Sequence, residues 1–205
     1  MLNRQQPFRL IASIRSPFAR RIRVVLSRLQ IPVEEQMIEV FSPPHDFAIN
    51  NPLGLVPALY HPDWGWVSDS GALLEMLEEE WGGVWPASNH RRDVRQASVW
   101  AVGVMQSTVL YFQETALHEF PNERWTQDHL ASVQDTLRAL NTISPEIFYF
   151  QSKWTQAAWD CVIALDYCTF RIPEWKWEEE LLQLAKMYGQ FQDDPLFQRT
   201  RPVAI

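Results

Sequence analysis

Three short stretches of the chain carry polar groups in positions where they could hold an anion. The first is Ser16, which Pro17 and the apolar positions of a helix follow. Serine caps helices and proline is tolerated at the first helical position, so a helix is predicted to begin here. A hydroxyl at that end, supported by the helix dipole, can donate a hydrogen bond to an anion. The local residues by themselves favour a plain helix cap.

The second stretch is Asp69-Ser70, which lies immediately before the apolar stripe of another predicted helix. The N-terminal end of a helix exposes backbone N–H groups and carries a positive partial charge. Such an end is a natural seat for a carboxylate group. A simple N-cap pair fits the same two residues, and the two roles are compatible.

The third stretch is Val56-Pro57, which follows a turn marked by Gly54 and opens an apolar run too brief for a helix. Turn residues 61–65 then connect this run to a second short strand at residues 66 and 67. The pattern predicts a hairpin. From these residues alone, Pro57 is expected to be a trans proline that opens an edge strand.

Composition limits the classes of function. The 205 residues are 46% hydrophobic and 21% charged, which is typical of a globular protein with one large or two small domains. The formal charge of −7 argues against a nucleic-acid partner. No apolar run approaches the ~20 residues that span a bilayer, and residues 1–7 contain no apolar segment of signal-peptide type. We therefore expect a cytoplasmic protein with no membrane partner.

Cysteine and histidine give no sign of a disulfide or a metal site. Cys161 and Cys168 are seven residues apart on one predicted helix. That spacing corresponds to ~10 Å, beyond the ~7 Å limit for a disulfide, so both are expected to be buried thiols. No two histidines have metal-ligand spacing; they are His45, His61, His90, His118 and His129.

The first 80 residues follow the order β-α-β-(α)-β-β-α. Strands are predicted at 8–12 and 33–40, a helix begins at Ser16 between them, and a short helix follows at 45–50. The hairpin and the helix after Ser70 complete this layer. A right-handed crossover followed by a hairpin predicts a mixed sheet.

Residues 81–89 are the only stretch that combines glycine, proline and small polar residues between two long helical patterns. The chain is therefore divided into a first domain at 1–81, a linker at 82–89 and a second domain at 90–205. The second domain is predicted to be all-helical. Its helices are expected at about 91–120, 125–142, 155–170 and 177–192.

Segments in both predicted domains resemble the cytosolic glutathione transferases, and among them the bacterial serine-type members. The segments occur in the family's order and cover nearly the whole chain. They are 16–24, 51–59, 66–70, 164–171 and 194–202. One departure is Ala158, where family members usually carry an aspartate three residues after the cap residue that is Thr155 here.

The resemblance implies an α/β thioredoxin-like first domain with a four-stranded mixed sheet, and an all-α second domain. It implies a glutathione transferase with glutathione as cosubstrate, no metal and a homodimeric assembly, acting in detoxification. Ser16 would be catalytic, since its hydroxyl would stabilise the thiolate. Glutathione would be bound by Phe18, Val56, Pro57, Asp69 and Ser70, with a cis bond before Pro57.

A small hydrophobic electrophile would bind against the second domain in this family. The candidates for the wall of this electrophile pocket are on the first long helix of the second domain. An apolar stripe at helical spacing is, however, more often part of a core or of a dimer contact. The candidates are Met105, Thr108, Tyr111 and Phe112.

Alternatives remain open at this stage. Ser13 is a rival for the contact with the thiol, although it lacks the following proline. Dithiol redox chemistry is disfavoured because Ser16 and Ala19 occupy the two positions where cysteines would be needed. A non-catalytic protein that uses the same fold for regulation or partner binding is the second hypothesis. The sequence does not separate conjugation from isomerisation, dehalogenation or peroxide reduction.

Overall fold

The computed structural model describes residues 3, 4, 6–87 and 89–203. These residues form two compact units. One contains the described residues up to Val84 together with those from Pro195 onward, and the other is Trp85–Asp194. Ser88, inside the predicted linker, lies outside the described residues, as do positions 1, 2 and 5 of the first seven. The domain bounds 1–81 and 90–205 stay a prediction.

The first unit has the predicted order of helices and strands. Its elements are β1 (Phe8–Ala12), α1 (Pro17–Arg28), β2 (Val33–Met37), α2 (Phe47–Asn50), β3 (Ala58–His61), β4 (Gly65–Ser68) and α3 (Ser70–Trp81). The sheet order is β2-β1-β3-β4, with β1 parallel to β2 and the other neighbours antiparallel. The mixed four-stranded sheet of a thioredoxin-like domain is thereby confirmed.

The two faces of this sheet differ in polarity. Along β1, Phe8, Leu10 and Ala12 are fully buried, because every second side chain points to the same face. Arg9 and Ile11 point to the opposite face and are more exposed. The buried apolar stripes of α1 and α3 complete the core of this unit.

Two elements of the first unit are shorter than predicted. β2 ends at Met37 rather than at 40, because Met37 pairs with Ala12 and β1 ends there. The short helix α2 begins at Phe47 rather than at 45. Neither change alters the topology.

The second unit is mainly helical. Its elements are α4 (Arg91–Leu117), α5 (Glu123–Asn141), α6 (Pro145–Phe148), β5 (Tyr149–Phe150), β6 (Lys153–Trp154), α7 (Gln156–Arg171), α8 (Trp177–Glu180) and α9 (Leu182–Phe191). Its core contains the buried faces of α4, α5 and α7. No helix among the residues at 3–4, 6–87 and 89–203 is long and apolar enough to cross a bilayer.

The expectation of a second domain without strands is wrong in one place. β5 and β6 form a two-stranded hairpin whose turn residues, Gln151 and Ser152, have φ angles of 48° and 61°. Such a turn usually carries glycine or asparagine. Its residues here gave no turn signal, and each strand is too short for alternation to be visible.

The helix predicted at 177–192 is also wrong, because it is interrupted at Leu181. Leu181 has φ −105° and ψ 63°, which are not helical angles. The side-chain carbonyl of Asn141, at the end of α5, accepts the N–H groups of Gln183 and Leu184 at 3.1 Å each. These N–H groups belong to the first turn of α9, so a cap supplied from α5 allows a new helix to begin there.

The final helix, α10 (Pro195–Arg199), packs with the first unit, whereas the sequence placed it with the second. The cause is the buried guanidinium of Arg20 on α1. It donates hydrogen bonds to the carbonyl of Phe197 at 3.0 Å and to the Thr200 hydroxyl at 3.2 Å. A buried charge needs such partners, and residues 177 and 180 positions away along the chain supply them.

Candidate functional site

The strand register brings the three polar stretches to one end of the sheet. Ala58 on β3 pairs with Ile11 on β1 and with Ser68 on β4. Because β3 is antiparallel to both neighbours, the chain leaves β1, enters β3 and leaves β4 at the same end. The segments at that end are the ones that contain Ser16, Val56-Pro57 and Asp69-Ser70.

Ser16 is the N-cap of α1. Its Oγ accepts the N–H of Ala19 at 3.2 Å, and its own N–H donates to the carbonyl of Ser13 at 3.0 Å. A hydroxyl that accepts still has a proton to donate, and no described residue accepts it from Ser16. Ser16 is half-buried, whereas Ser13 is only 3% exposed. Phe18, also half-buried, lies in the first turn of α1.

The bond between Val56 and Pro57 is cis, as the resemblance implied. The preceding turn is held by Asn51, which is 1% exposed. The Asn51 amide donates to the carbonyl of Leu55 at 2.6 Å, and its carbonyl oxygen accepts the Ser68 hydroxyl proton at 2.8 Å. Asn51 therefore links the segment before Pro57 to the end of β4.

Asn51 is a residue that the sequence analysis did not assign a role. Its only signal was its position at the start of a proline-glycine turn, where asparagine commonly bonds to nearby backbone. The N–H of Gly54 does donate to the carbonyl of Asn51 at 2.8 Å, and Gly54 has φ +63°. The long-range bond to Ser68 had no local signature.

Asp69 and Ser70 have different hydrogen-bond partners at the start of α3. Oδ1 of Asp69 accepts the N–H groups of Gly71 at 2.8 Å and Ala72 at 2.9 Å, so Asp69 is the N-cap. Asp69 is exposed, and its Oδ2 has no hydrogen-bond partner among the residues that the structure describes. Ser70 is buried, and its Oγ accepts from a guanidinium nitrogen of Arg21 at 3.2 Å.

A buried guanidinium and two helix N-termini lie at this end of the unit, together with the exposed Asp69 carboxylate. Arg21 is only 4% exposed and lies directly behind the Ser70 hydroxyl. The N-termini of α1 and α3 add the positive partial charge of their helix dipoles. The arrangement favours a bound group that carries negative charge.

The four residues of the second unit that were predicted to line an electrophile pocket differ in burial. Met105 and Thr108 are fully buried inside their own unit, where the Thr108 hydroxyl donates to the carbonyl of Val104 at 2.8 Å. Tyr111 and Phe112 are half-buried. The pKa of Tyr111 is raised, first by burial and then by the nearby Glu174 carboxylate. Only the second pair is accessible in its unit.

Neither cysteine is a nucleophile in this structure. Both are unpaired thiols with no exposed surface. Burial raises the pKa of Cys168 to about 12, although a hydrogen bond with Thr108 lowers it somewhat. The pKa of Cys161 is raised further by burial, by Asp160 and by Cys168. Among residues 3–4, 6–87 and 89–203, no group of histidine, cysteine and carboxylate side chains could hold a metal ion.

Comparison with known proteins agrees with this arrangement. Residues 15–80 match the family model described as the N-terminal domain of glutathione S-transferase. A rice protein (Oryza sativa subsp. japonica) named probable cytosolic glutathione S-transferase DHAR1 is 31% identical over 65 residues, which are 32% of this chain and 30% of the rice protein.

Solved structures of glutathione transferases match the fold of the whole chain. The Methylobacterium radiotolerans enzyme, in complex with glutathione sulfonate, has 22% identity and a TM-score of 0.89 over 98% of this chain and 97% of its own. The Methylobacillus flagellatus enzyme, with glutathione bound, has 25% identity and a TM-score of 0.87 over 96% of this chain and 100% of its own. A Pseudomonas fluorescens family member, also with bound glutathione, has 25% identity and a TM-score of 0.84 at the same coverage.

Proposed function

We propose that this protein is a glutathione transferase-like enzyme in which Ser16 stabilises the thiolate of bound glutathione. The observation that carries the proposal is the proton of the Ser16 hydroxyl, for which no acceptor exists among the described residues. This donor lies at a helix N-terminus, and the Ser16 side chain is half-buried rather than enclosed. The glutathione-bound relatives and the matched N-terminal domain support the choice of ligand.

The rest of the site would hold the peptide part of glutathione. The backbone of Val56, beside the cis bond to Pro57, would pair with the cysteinyl backbone. The hydroxyl and the backbone N–H of Ser70 would bind the γ-glutamyl carboxylate. The free Oδ2 of Asp69 would face the γ-glutamyl ammonium, and Phe18 would pack against the bound peptide.

The chemistry would begin with removal of the thiol proton to solvent. A thiol with a pKa of ~8.5 is mostly protonated at neutral pH, and the thiolate is the nucleophile. A hydrogen bond from Ser16 and the positive end of α1 would lower the pKa of the bound thiol. The thiolate would then attack a small hydrophobic electrophile, so that a carbon–sulfur bond forms and the leaving group departs with its electron pair.

The finer assignments are also proposals. We assign the protein to the bacterial serine type because Ser16 occupies the position of the thiol-stabilising residue. We propose a cytoplasmic protein that forms a two-fold homodimer and acts in detoxification, as the resemblance implies. Light scattering coupled to gel filtration would test the dimer, and a mass corresponding to one 24.0 kDa chain would contradict it.

The test of the function is Ser16→Ala, with Ser13→Ala as the matched control. Loss of one preorganised donor is expected to lower kcat/KM for a chlorodinitrobenzene about 10²-fold. The ultraviolet absorbance of bound thiolate, followed against pH, should show its pKa rising toward that of free glutathione in Ser16→Ala only. Full activity in Ser16→Ala would overturn the catalytic assignment, and loss confined to Ser13→Ala would transfer it to Ser13.

Binding is tested separately from catalysis. Millimolar glutathione is expected to raise the Tm of the wild-type protein and of Ser16→Ala alike, since most of the binding contacts remain. Absence of any shift in the wild-type protein would favour the non-catalytic alternative.

A further inference from the structure

A cleft in the first unit lies outside the proposed glutathione site. It is formed between α2 and the sheet face that carries Arg9 and Ile11, and its volume is about 220 Å³. At ~30 Å³ for each water molecule, it has room for about seven. None of Ser16, Val56 and Ser70 lines it, whereas Asn51, which positions the segment before Pro57, does.

One wall of the cleft carries a cation held in a fixed orientation. Arg9 pairs across the sheet with Tyr60, which pairs in turn with Trp66. The Arg9 guanidinium lies 4.4 Å from the centroid of the Tyr60 ring and 5.7 Å from that of Trp66. These aromatic contacts position the guanidinium without neutralising it. Glu34 is the β2 neighbour of Arg9, yet no ion pair joins them within the described residues.

The α2 side of the cleft carries an anion. Asp46 directly precedes α2, and its carboxylate makes no capping hydrogen bond with that helix. No ion pair joins Asp46 to Arg9 or to another residue in the part of the chain that the structure describes. The rest of the lining is mixed: Ile11, Ile38 and the buried ring of Phe47 are apolar, whereas Gln36, Asn50 and Asn51 are polar.

We propose that this cleft binds a small zwitterion with a flat apolar body, of the class of aromatic α-amino acids. The ligand's carboxylate pairs with Arg9, its ammonium pairs with Asp46, and its ring packs against Ile11 and Phe47. The volume is below the ~300–1,000 Å³ typical of sites for drug-sized ligands, which limits the occupant to about the size of one amino acid. The proposal does not depend on the activity proposed above.

The experiment is isothermal calorimetry on the full chain with saturating glutathione present. Three probes of similar shape separate the charges: L-phenylalanine carries both, 3-phenylpropionate has only the carboxylate, and phenethylamine has only the ammonium. The variants are Arg9→Gln and Asp46→Asn. Matched controls are Arg124→Gln and Asp128→Asn, whose side chains in the second unit are 92% and 71% exposed.

L-Phenylalanine is expected to bind the wild-type protein more tightly than either singly charged probe. Arg9→Gln should weaken phenylalanine and phenylpropionate about tenfold and leave phenethylamine unchanged, because it removes only the carboxylate's partner. Asp46→Asn should weaken phenylalanine and phenethylamine to a similar degree and spare phenylpropionate. Both controls should behave as the wild type.

Three results would overturn the proposal. The first is absence of binding heat with all three probes. The second is equal affinity for the three probes or insensitivity to both cleft variants, which would indicate nonspecific apolar binding. The third is binding of phenylalanine that is seen only in a parallel titration without glutathione, since the amino acid would then occupy the glutathione site instead.

Discussion

The hydroxyl of Ser16 has one proton to donate and lone pairs that accept. Acceptance from the Ala19 N–H stabilises the start of α1, and the proton stays available for a ligand. A helix cap and an anion-binding donor are therefore two uses of the same atom. From the sequence alone these are competing interpretations, and the geometry makes them compatible.

Replacement of Asn51 by alanine is expected to affect glutathione binding more than the chemical step. Asn51→Ala removes the buried amide that joins the Leu55 carbonyl to the Ser68 hydroxyl, and leaves both without that partner. The cost in the free energy of unfolding should be ~1–3 kcal/mol. Steady-state kinetics should show an increased KM for glutathione with a nearly unchanged kcat. An unchanged KM together with a lowered kcat would contradict a positioning role for Asn51.

The two thiols are expected to be unreactive in the folded protein. Burial raises the pKa of Cys168 to about 12, so the thiolate form is scarce near neutral pH, and burial also blocks access to the sulfur. Labelling by a disulfide reagent should therefore proceed at the rate of unfolding and accelerate strongly in urea. Rapid labelling of two thiols per chain in native buffer would contradict the buried environment.

At the scale of elements, the connection between α4 and α5 depends on one carboxylate. Oε1 of Glu114 accepts the N–H of Asn122 at 2.8 Å, and Oε2 lies 2.9 Å from Nδ1 of His118. The backbone hydrogen bond from Asn122 is the main cause that lowers the pKa of Glu114, and His118 adds to it. The charged form of Glu114 is thus favoured in the folded state.

Glu114→Gln is expected to destabilise the protein in a pH-dependent way. A folded-state pKa below the unfolded value contributes stability above the unfolded pKa, and that stability is lost as pH falls through the folded pKa. The difference in Tm between wild type and variant should thus be present at pH 7 and shrink below the ordinary glutamate pKa of ~4.3. Glu119→Gln, at an exposed position, is the control. A Tm difference independent of pH would show that charge is not the cause.

The elements that could be predicted were those whose signals are local. The serine cap before Pro17, the apolar stripe after Ser70 and the turn at Gly54 each specify their structure within a few residues. The break at Leu181 depends on Asn141, 40 residues earlier, and had no such signal. The role of Asn51 likewise needed the register of β3 and β4 to become visible.

At the scale of the molecule, the first unit is discontinuous in sequence. Arg20 is 2% exposed, and Thr200 and Phe197 supply acceptors for its guanidinium. Both residues follow the second unit in the sequence. Arg199 adds a hydrogen bond to the Ser27 hydroxyl at 2.6 Å. These bonds explain why α10 belongs with α1.

Thr200→Val is expected to destabilise the first unit because it removes an acceptor from a buried charged donor. The cost should be ~1–3 kcal/mol in the free energy of unfolding, measured by urea denaturation. Thr200→Ser keeps the hydroxyl and should retain most of the stability. Equal stability of Thr200→Val and the wild type would show that the remaining partners of Arg20 suffice.

The attachment of α10 to α1 has a consequence for synthesis of the protein. A ribosome makes α1 early, but it releases Pro195–Arg199 only after every residue of the second unit. During translation, the face of α1 that contacts α10 therefore has no partner while the second unit can already fold. The unit begun first is the one finished last, and the nascent chain exposes Arg20 and its apolar neighbours for most of that time.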